Sequence, residues 1–417
     1  AANRLRRRTY DRRGNVIEID DPDRGLTQTC YDNRGRLSRT YTTAASVVDG
    51  KGWIFNEYDR LNRLVKVTRP DGVDTLSYDE LNGDGNASAA GAIGQLTRHS
   101  RSDTGKIGET IKWKFDAAGR QIGEDRVVAG QAIWQFSTQY AANTNDATCV
   151  HYGPLNQSLQ YGYNDETGEL EKIWLASGDC NNTENREEVL SSLEIAQGRV
   201  NAATYGDRST DKRSYSKTGK VLNIQSGYLP AEEALNIDYT MSKNGLVSSI
   251  SERSARNADN VTTYKYDYAG QVVEVSNVGG TGAYGTFTYA YDKLGNFTHF
   301  RDASNAYAYD VSNPNILATG TDGTHRFSLN YLMAQNGRHT GLVSKKTVNL
   351  DAAFGYQHTY DITYNSLGVV DTLTTDTNNA SGNIAAFSGV TRAEHHYGPL
   401  GISQVQTTTA DGTQRWL

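Results

Sequence analysis

The feature that most limits the fold is a five-residue phrase that keeps returning: Tyr or Phe, a polar residue, two variable positions, then Gly. Copies begin at Tyr10 (YDRRG), Tyr31 (YDNRG), Phe115 (FDAAG), Tyr215 (YSKTG), Tyr266 (YDYAG), Tyr291 (YDKLG) and Tyr364 (YNSLG). In five of them the polar residue is an aspartate: Asp11, Asp32, Asp116, Asp267 and Asp292. The closing glycines are Gly14, Gly35, Gly119, Gly219, Gly270, Gly295 and Gly368. Looser copies begin at Tyr58 with Asp59, at Tyr78 with Asp79, and at Tyr163, Tyr239 and Tyr309. Asn62 and Asn313 take the glycine's place after Tyr58 and Tyr309, and Asn is the next best residue at a left-handed turn position. After Tyr78, Tyr163 and Tyr239 the loop before the Gly is longer or shifted.

The residues after each turn alternate in character. The fifth residue after the turn residue is Ile19, Thr40, Val67, Glu124, Ile173, Ile224, Ile250, Val275, Phe300 or Leu373. Most are apolar, and the residue before is often charged, as at Glu18, Lys66, Lys172 and Glu274. A period of two with one apolar face describes a half-buried antiparallel strand. The stretch from Tyr58 to Gly83 shows the whole unit: a turn, a strand through Leu64, Val65 and Val67, a Pro70-Asp71-Gly72 reversal, a second strand through Val73 and Leu76, and another Tyr-Asp. Anchors often lie about 20 to 27 residues apart, which suits two strands and two turns at about 3.4 Å per residue. Four wider gaps are expected to hold hairpins with eroded signatures, including 132–140 (AIWQFSTQY) and 356–364 (YQHTYDITY).

Composition agrees with a thin sheet. Hydrophobic residues make up only 37% and mean hydropathy is −0.64, low for a two-layer core, yet the 26 tyrosines argue against disorder. The 6 prolines are as scarce as central strands require, and the 41 glycines suit many turns. Surface must therefore be large for the volume, as in a single-layer sheet or a hollow shell. Helix signals are few: 183–198 (TENREEVLSSLEIAQG) has early acidic residues, Val189, Leu190 and Leu193 at helical spacing, and a final Gly. The segment 230–235 (PAEEAL) has the look of one helical turn. Segments 82–94 and 378–389 read as long polar loops.

Net charge is −6, which argues against a nucleic-acid protein. Arg4, Arg6, Arg7, Arg8, Arg12 and Arg13 crowd the start and read as exposed strand and turn positions. Cys30, Cys149 and Cys180 form no CxxC pair. Cys149 and Cys180 can pair in an oxidising compartment, but spacing alone does not decide it. No run of about 18 apolar residues is present, so a membrane-spanning helix is not expected. The chain shows neither a signal peptide nor an initiator Met, and Ala1 reads as the middle of something longer.

Motifs with chemical meaning are few and incomplete. The GxGxxG at 280–285 lies between strand patterns, whereas a dinucleotide site needs a helix after it. It reads as a hairpin loop. Asn82, Asp84 and Asn86 alternate as calcium ligands would, but Ala87 and Ile93 stand where an EF-hand needs Gly and Glu. Adjacent His395 and His396 would point to opposite faces of a strand, so they do not make a metal pair. Glu187-Glu188 and Glu232-Glu233 resemble solvated charges, and His99 and His151 lack motif partners. Catalytic residues, cofactors and bound metals are therefore not expected.

Tyrosine combines a flat apolar body with a polar tip. One ring per repeat, stacked on its neighbour, would replace a thick core, with the hydroxyl turned to water in a wide cavity. The units GNVIEIDDPDRGLTQTCYDNRGRL and NRLVKVTRPDGVDTLSYDELNG resemble Rhs repeats, also called YD repeats. The resemblance implies an all-β array of antiparallel hairpins in one continuous spiralling sheet, forming a hollow shell or part of one, with residues 1–417 as a single segment. In bacterial Rhs proteins and the B and C subunits of Tc toxins such a shell encloses a toxic C-terminal domain; in teneurins a similar shell serves adhesion. A terminal core segment and toxin domain are not expected in this chain, and no cleavage residues carry over.

These readings lead to a non-enzymatic, secreted or cell-surface shell segment. Its partners would be an enclosed toxin or cargo polypeptide and further repeat segments. The alternative is an adhesion or assembly module that binds glycan or protein through Trp53, Trp113, Trp134, Trp174 or Trp416. A carbohydrate-acting enzyme ranks below both, because it needs two carboxylates at a set separation.

Overall fold

The computed structural model describes every residue except 1–5, 81–89, 107, 129–133, 143, 229–231, 255–256, 279–282, 302, 305–306, 311–312, 314–315, 322–325, 334–338, 352–355, 380–381, 384–389, 399–400, 410–413 and 417. Among the described residues the chain is 35 strands, one short α-helix and two single 3-10 turns. Strands pair antiparallel, nearly all with their sequence neighbours, and three runs of them follow one another along the chain. The first extends from Arg7–Tyr10 to Gln121–Val128, the second from Trp134–Tyr140 to Ala303–Ser304, and the third from Tyr307–Tyr309 to Gln414–Trp416. The first and third runs belong to one compact unit and the second forms another.

The repeating phrase makes the same turn each time. Gly14 N donates to Asp11 O and Asp11 N donates to Asn15 O, and the pattern recurs at Asp32, Asp59, Asp116, Asp267 and Asp292. The turn residue has positive φ: 84° at Gly14, 80° at Gly35 and 68° at Asn62. Asn accepts that conformation at modest cost. The anchor then pairs with the residue six places on: Tyr10 with Val16, Tyr31 with Leu37, Tyr58 with Leu64, Tyr266 with Val272. A bulge precedes each anchor, as a glycine in the left-handed region produces. At Tyr239 the true anchor is two residues later: Met241 pairs with Val247 around Ser242 and Gly245.

The protein exposes 24744 Å², against about 16,000 Å² for a compact monomer of its mass. The excess is what a sheet with little packed against it produces. Among the described residues only nine apolar side chains are buried, four of them alanines, and buried polar residues outnumber them.

Several expectations are overturned. Residues 183–198 hold the strand Arg186–Ala196, not a helix. It pairs with Leu170–Ser177 on one side and Arg199–Tyr205 on the other, and that pairing outweighs the local helical spacing. Gln197 and Gly198, with φ of 54° and 70°, make a two-residue hairpin turn in place of the expected helix cap. The strand Glu232–Met241 replaces the helical turn expected at 230–235. Asn378 and Asn379 finish the strand Val370–Asn379, and Gly382–Asn383 pairs back on it, so that part of the expected loop is strand. The helix that does form, Thr43–Asp49, carries no helical signal strong enough to stand out in the sequence. Thr42 Oγ1 accepts from Ala45 N, and Gly50 at φ 75° closes the helix.

Candidate functional site

Two constructions stand out: the joins between repeats, which recur through both units, and a charged cluster buried in the first.

At the joins the tyrosine hydroxyl does not face water. Tyr58 Oη donates to Leu37 O at 2.8 Å, Tyr78 Oη to Leu64 O at 2.9 Å, Tyr215 Oη to Val200 O at 2.7 Å and Tyr266 Oη to Val247 O at 2.7 Å. Tyr31, Tyr291 and Tyr364 reach Val16, Val272 and Val343 in the same way. Each acceptor is two residues after the left-handed residue of the preceding turn. Each tyrosine is therefore a cross-tie to the turn before it.

The expected stack of tyrosines on one another is also corrected. Among the described residues no two of these tyrosines share a ring contact. Instead the residue just after the preceding turn lies over the ring. Arg36 stacks on Tyr58 at 4.6 Å, Arg63 on Tyr78 at 4.4 Å and Arg199 on Tyr215 at 5.8 Å. A cationic plane over an aromatic face gains about 0.5–1 kcal/mol at an exposed site. The same position reaches the next turn. Arg36 Nη1 donates to Asn62 Oδ1 at 2.9 Å, Arg63 Nη1 to Asp79 Oδ1 at 3.0 Å and Lys220 Nζ to Gly245 O. Leu246 lies beside Gly270 and Gln271 beside Gly295. Sequence reading missed these residues, although the recurrence of Arg36, Arg63 and Arg120 directly after the turn was a usable signal.

The aspartates work within the turn. Asp59 Oδ1 accepts from Leu61 N at 2.8 Å and Arg63 N at 2.9 Å, while Oδ2 takes Arg63 Nε at 2.8 Å. Asp11, Asp32, Asp116, Asp267 and Asp292 accept from their own turns alike. Side-chain and backbone donors from Asn15 hold Asp11 below the ordinary carboxylate range, and donors from Arg36, Arg63 and Arg120 do the same for Asp32, Asp59 and Asp116. Asp79 departs from the pattern: it has φ 63° and accepts from Gly94 N across the longer loop. Phe115 pairs with Gln121 in the usual register but has no hydroxyl to donate.

The buried cluster lies on one face of the strands Leu64–Arg69, Gly72–Tyr78, Leu96–Asp103 and Glu109–Phe115. The Arg69 side chain is 1% exposed and lies against Asp74, Asp103 at 2.6 Å and Asp71 at 3.5 Å. Arg101 pairs with Asp103 at 3.0 Å, and Asp74, Arg101 and Glu109 stand opposite one another in the ladder. Burial, with Arg101 and Arg69 close by, pushes His99 below the ordinary imidazole value, and its Nε2 lies 3.3 Å from Asp74 Oδ1. The third run packs against these strands and their turns. Ser366 N donates to Asp71 Oδ2 at 2.7 Å, and Lys106 Nζ reaches Asp371 and His395 O. At the turn after the strand Val16–Asp21, Asn313 Nδ2 donates to Pro22 O at 3.1 Å. These ion pairs and hydrogen bonds join two parts of the chain.

The remaining motifs are dispersed. Residues 82–86 and the first half of the GxGxxG, 280–282, lie outside the described residues, and Gly285 opens the strand Gly285–Tyr291. His395 Nδ1 contacts Val370 O at 3.2 Å. Glu187 and Glu188 are exposed on the strand Arg186–Ala196. Cys149 and Cys180 form a disulfide and Cys30 is free. Among the described residues no three His, Cys, Asp or Glu side chains converge as metal ligands, and no helix is long and apolar enough to cross a membrane. Trp53 lies under Arg39, Trp174 lies under Arg186, Trp113 Nε1 donates to Glu124, and Trp134 is 51% exposed. The side chain of Trp416 lies outside the described residues.

No family model matches the chain, and no curated protein matches it in sequence. Solved structures do. A chain of the Photorhabdus luminescens Tc holotoxin pore superposes over 98% of this chain with a TM-score of 0.55 at 14% identity. Two structures of TcdB2-TccC3, one without its hypervariable C-terminal region, superpose over 98% with TM-scores of 0.53 and 0.51 at 15% and 13% identity. This chain spans about a quarter of the length of each, 23% to 24%. The likeness establishes the fold: an all-β array of antiparallel hairpins of the kind that builds those Tc chains.

Proposed function

We propose that this chain is a wall segment of a toxin-enclosing shell of the Rhs or Tc type, and that it performs no chemistry itself. The observation that carries the reading is the superposition of 98% of the chain on a Tc holotoxin chain. The joins support it. Ties that run from each hairpin to the one before hold a sheet without a thick core, as a wall around a space requires. The partners in this reading are further repeat segments and an enclosed polypeptide, in a secreted or cell-surface assembly.

The test uses the natural polypeptide that carries this segment. Limited proteolysis and electron cryomicroscopy should find a protected polypeptide enclosed by hairpin strands. A partner domain lying outside the wall, and cut as fast as when isolated, would overturn the reading. Of the tryptophans that the adhesion alternative would use, Trp53, Trp113 and Trp174 have arginine or glutamate partners, and Trp134 is exposed.

A further inference from the structure

In the unit Trp134–Ser304, a patch of sheet is sealed in a way the neighbouring sheet is not. Ser158 is 0% exposed, Ala176 1%, Cys149 3% and Gln160 6%, although most neighbouring strand positions are half-exposed. The ladder places these residues together. Cys149 stands opposite Gln160 and His151 opposite Ser158, while Ser158 and Gln160 in turn face Ala176 and Trp174. Their cover is residues 178–185, the connection between Leu170–Ser177 and Arg186–Ala196. This strap runs back across two strands. Ser158 Oγ donates to Asp179 O at 3.2 Å, Gln160 Nε2 donates to Asn182 O at 2.7 Å, and Cys180 is bonded to Cys149.

The strap reads GDCNNTEN. Apart from Cys180 it has no apolar side chain, so hydrophobic burial does not hold it down. Its other ties are single hydrogen bonds, which water replaces at small net cost. The strip beneath it is largely polar and loses little on wetting. Covalent attachment at Cys180 is therefore the decisive contact.

We propose that residues 178–185 form a redox-operated strap, closed by the Cys149–Cys180 bond and released by a thiol reductant. Two equivalents of a low-molecular-mass thiol supply two electrons and two protons. The sulfur–sulfur bond breaks, Cys149 and Cys180 become thiols, and the reductant leaves as its own disulfide. The closed form belongs to an oxidising compartment and the open form to a reducing one. Opening bares the Ser158 and Gln160 strip while the ladder stays paired. The inference does not depend on the shell reading.

The experiment is peptide-resolved hydrogen exchange and alkylation by iodoacetamide, with and without dithiothreitol, with exposed Glu187→Gln as a variant control. Without reductant, Cys149 and Cys180 should resist alkylation. With it, both should alkylate, and exchange at 178–185 should accelerate at least about tenfold while the strands Val221–Tyr228 and Val247–Ser254 keep their protection. The Cys149→Ser and Cys180→Ser chains should show the open exchange pattern in either buffer. The proposal fails if Cys149 and Cys180 are found as free thiols, beside the free Cys30, in oxidising buffer. It also fails if Cys149 stays shielded after reduction, or if reduction removes protection throughout the unit.

Discussion

Tyr58→Phe isolates a single cross-tie. The substitution deletes the Tyr58 hydroxyl, which donates to Leu37 O at 2.8 Å, and keeps the ring under Arg36 at 4.6 Å. Leu37 O is not orphaned, because Asn56 Nδ2 also donates to it at 3.2 Å. The loss is therefore the net value of one hydrogen bond, about 1 kcal/mol, and not the larger cost of a stranded buried carbonyl. Tyr58→Leu removes the hydroxyl and the stack together, so about 0.5–1 kcal/mol more is lost with the cation–π contact. Hydrogen exchange across Trp53–Tyr58 and Leu64–Arg69 reads the effect locally, as suits an array that opens piecemeal. Phe should speed exchange about fivefold and Leu roughly tenfold or more. If Phe exchanges as the parent does while Leu is strongly destabilised, the ring alone makes the join and the cross-tie argument is wrong.

Asp59→Asn tests the turn carboxylates. Donors from Arg63 lower the Asp59 pKa in the fold, so its contribution is complete above the unfolded-state value and fades as pH falls through the folded one. Stability should thus decline below about pH 4 in the parent and less steeply in the variant; equal slopes in acid denaturation would contradict this. Arg69→Met strips the buried cation from Asp74 and Asp103 and should cost about 3–5 kcal/mol in urea unfolding, whereas a cost below about 1 kcal/mol would show that the carboxylates do not need it. Gly206→Ala would set a Cβ inside the carbonyl of Glu188, and should cost about 1–3 kcal/mol in thermal or urea unfolding. An unchanged midpoint would mean that the strands do not approach so closely.

The turns and alternating strands were legible because their causes are local. Asp11, its two backbone donors and Gly14 lie within five residues, and nothing distant is needed to close the loop. Alternation after each turn likewise assigns strand and face without knowledge of the partner. Where a segment's character depends on its neighbours, local reading failed. Val189, Leu190 and Leu193 have helical spacing, yet two flanking strands claim the backbone between Arg186 and Ala196. The tyrosines were evident, but their contacts were not, because the acceptor is a main-chain carbonyl one turn back, which any residue supplies.

Sequence by itself determined the hairpin unit, its turn chemistry and its repetition, since these depend on contacts within a few residues. Only the tertiary structure decided that Ser366 closes on Asp71, 295 positions away, and that Cys180 crosses two strands to Cys149. Those contacts depend on how paired strands bring distant faces together, and no local pattern encodes that.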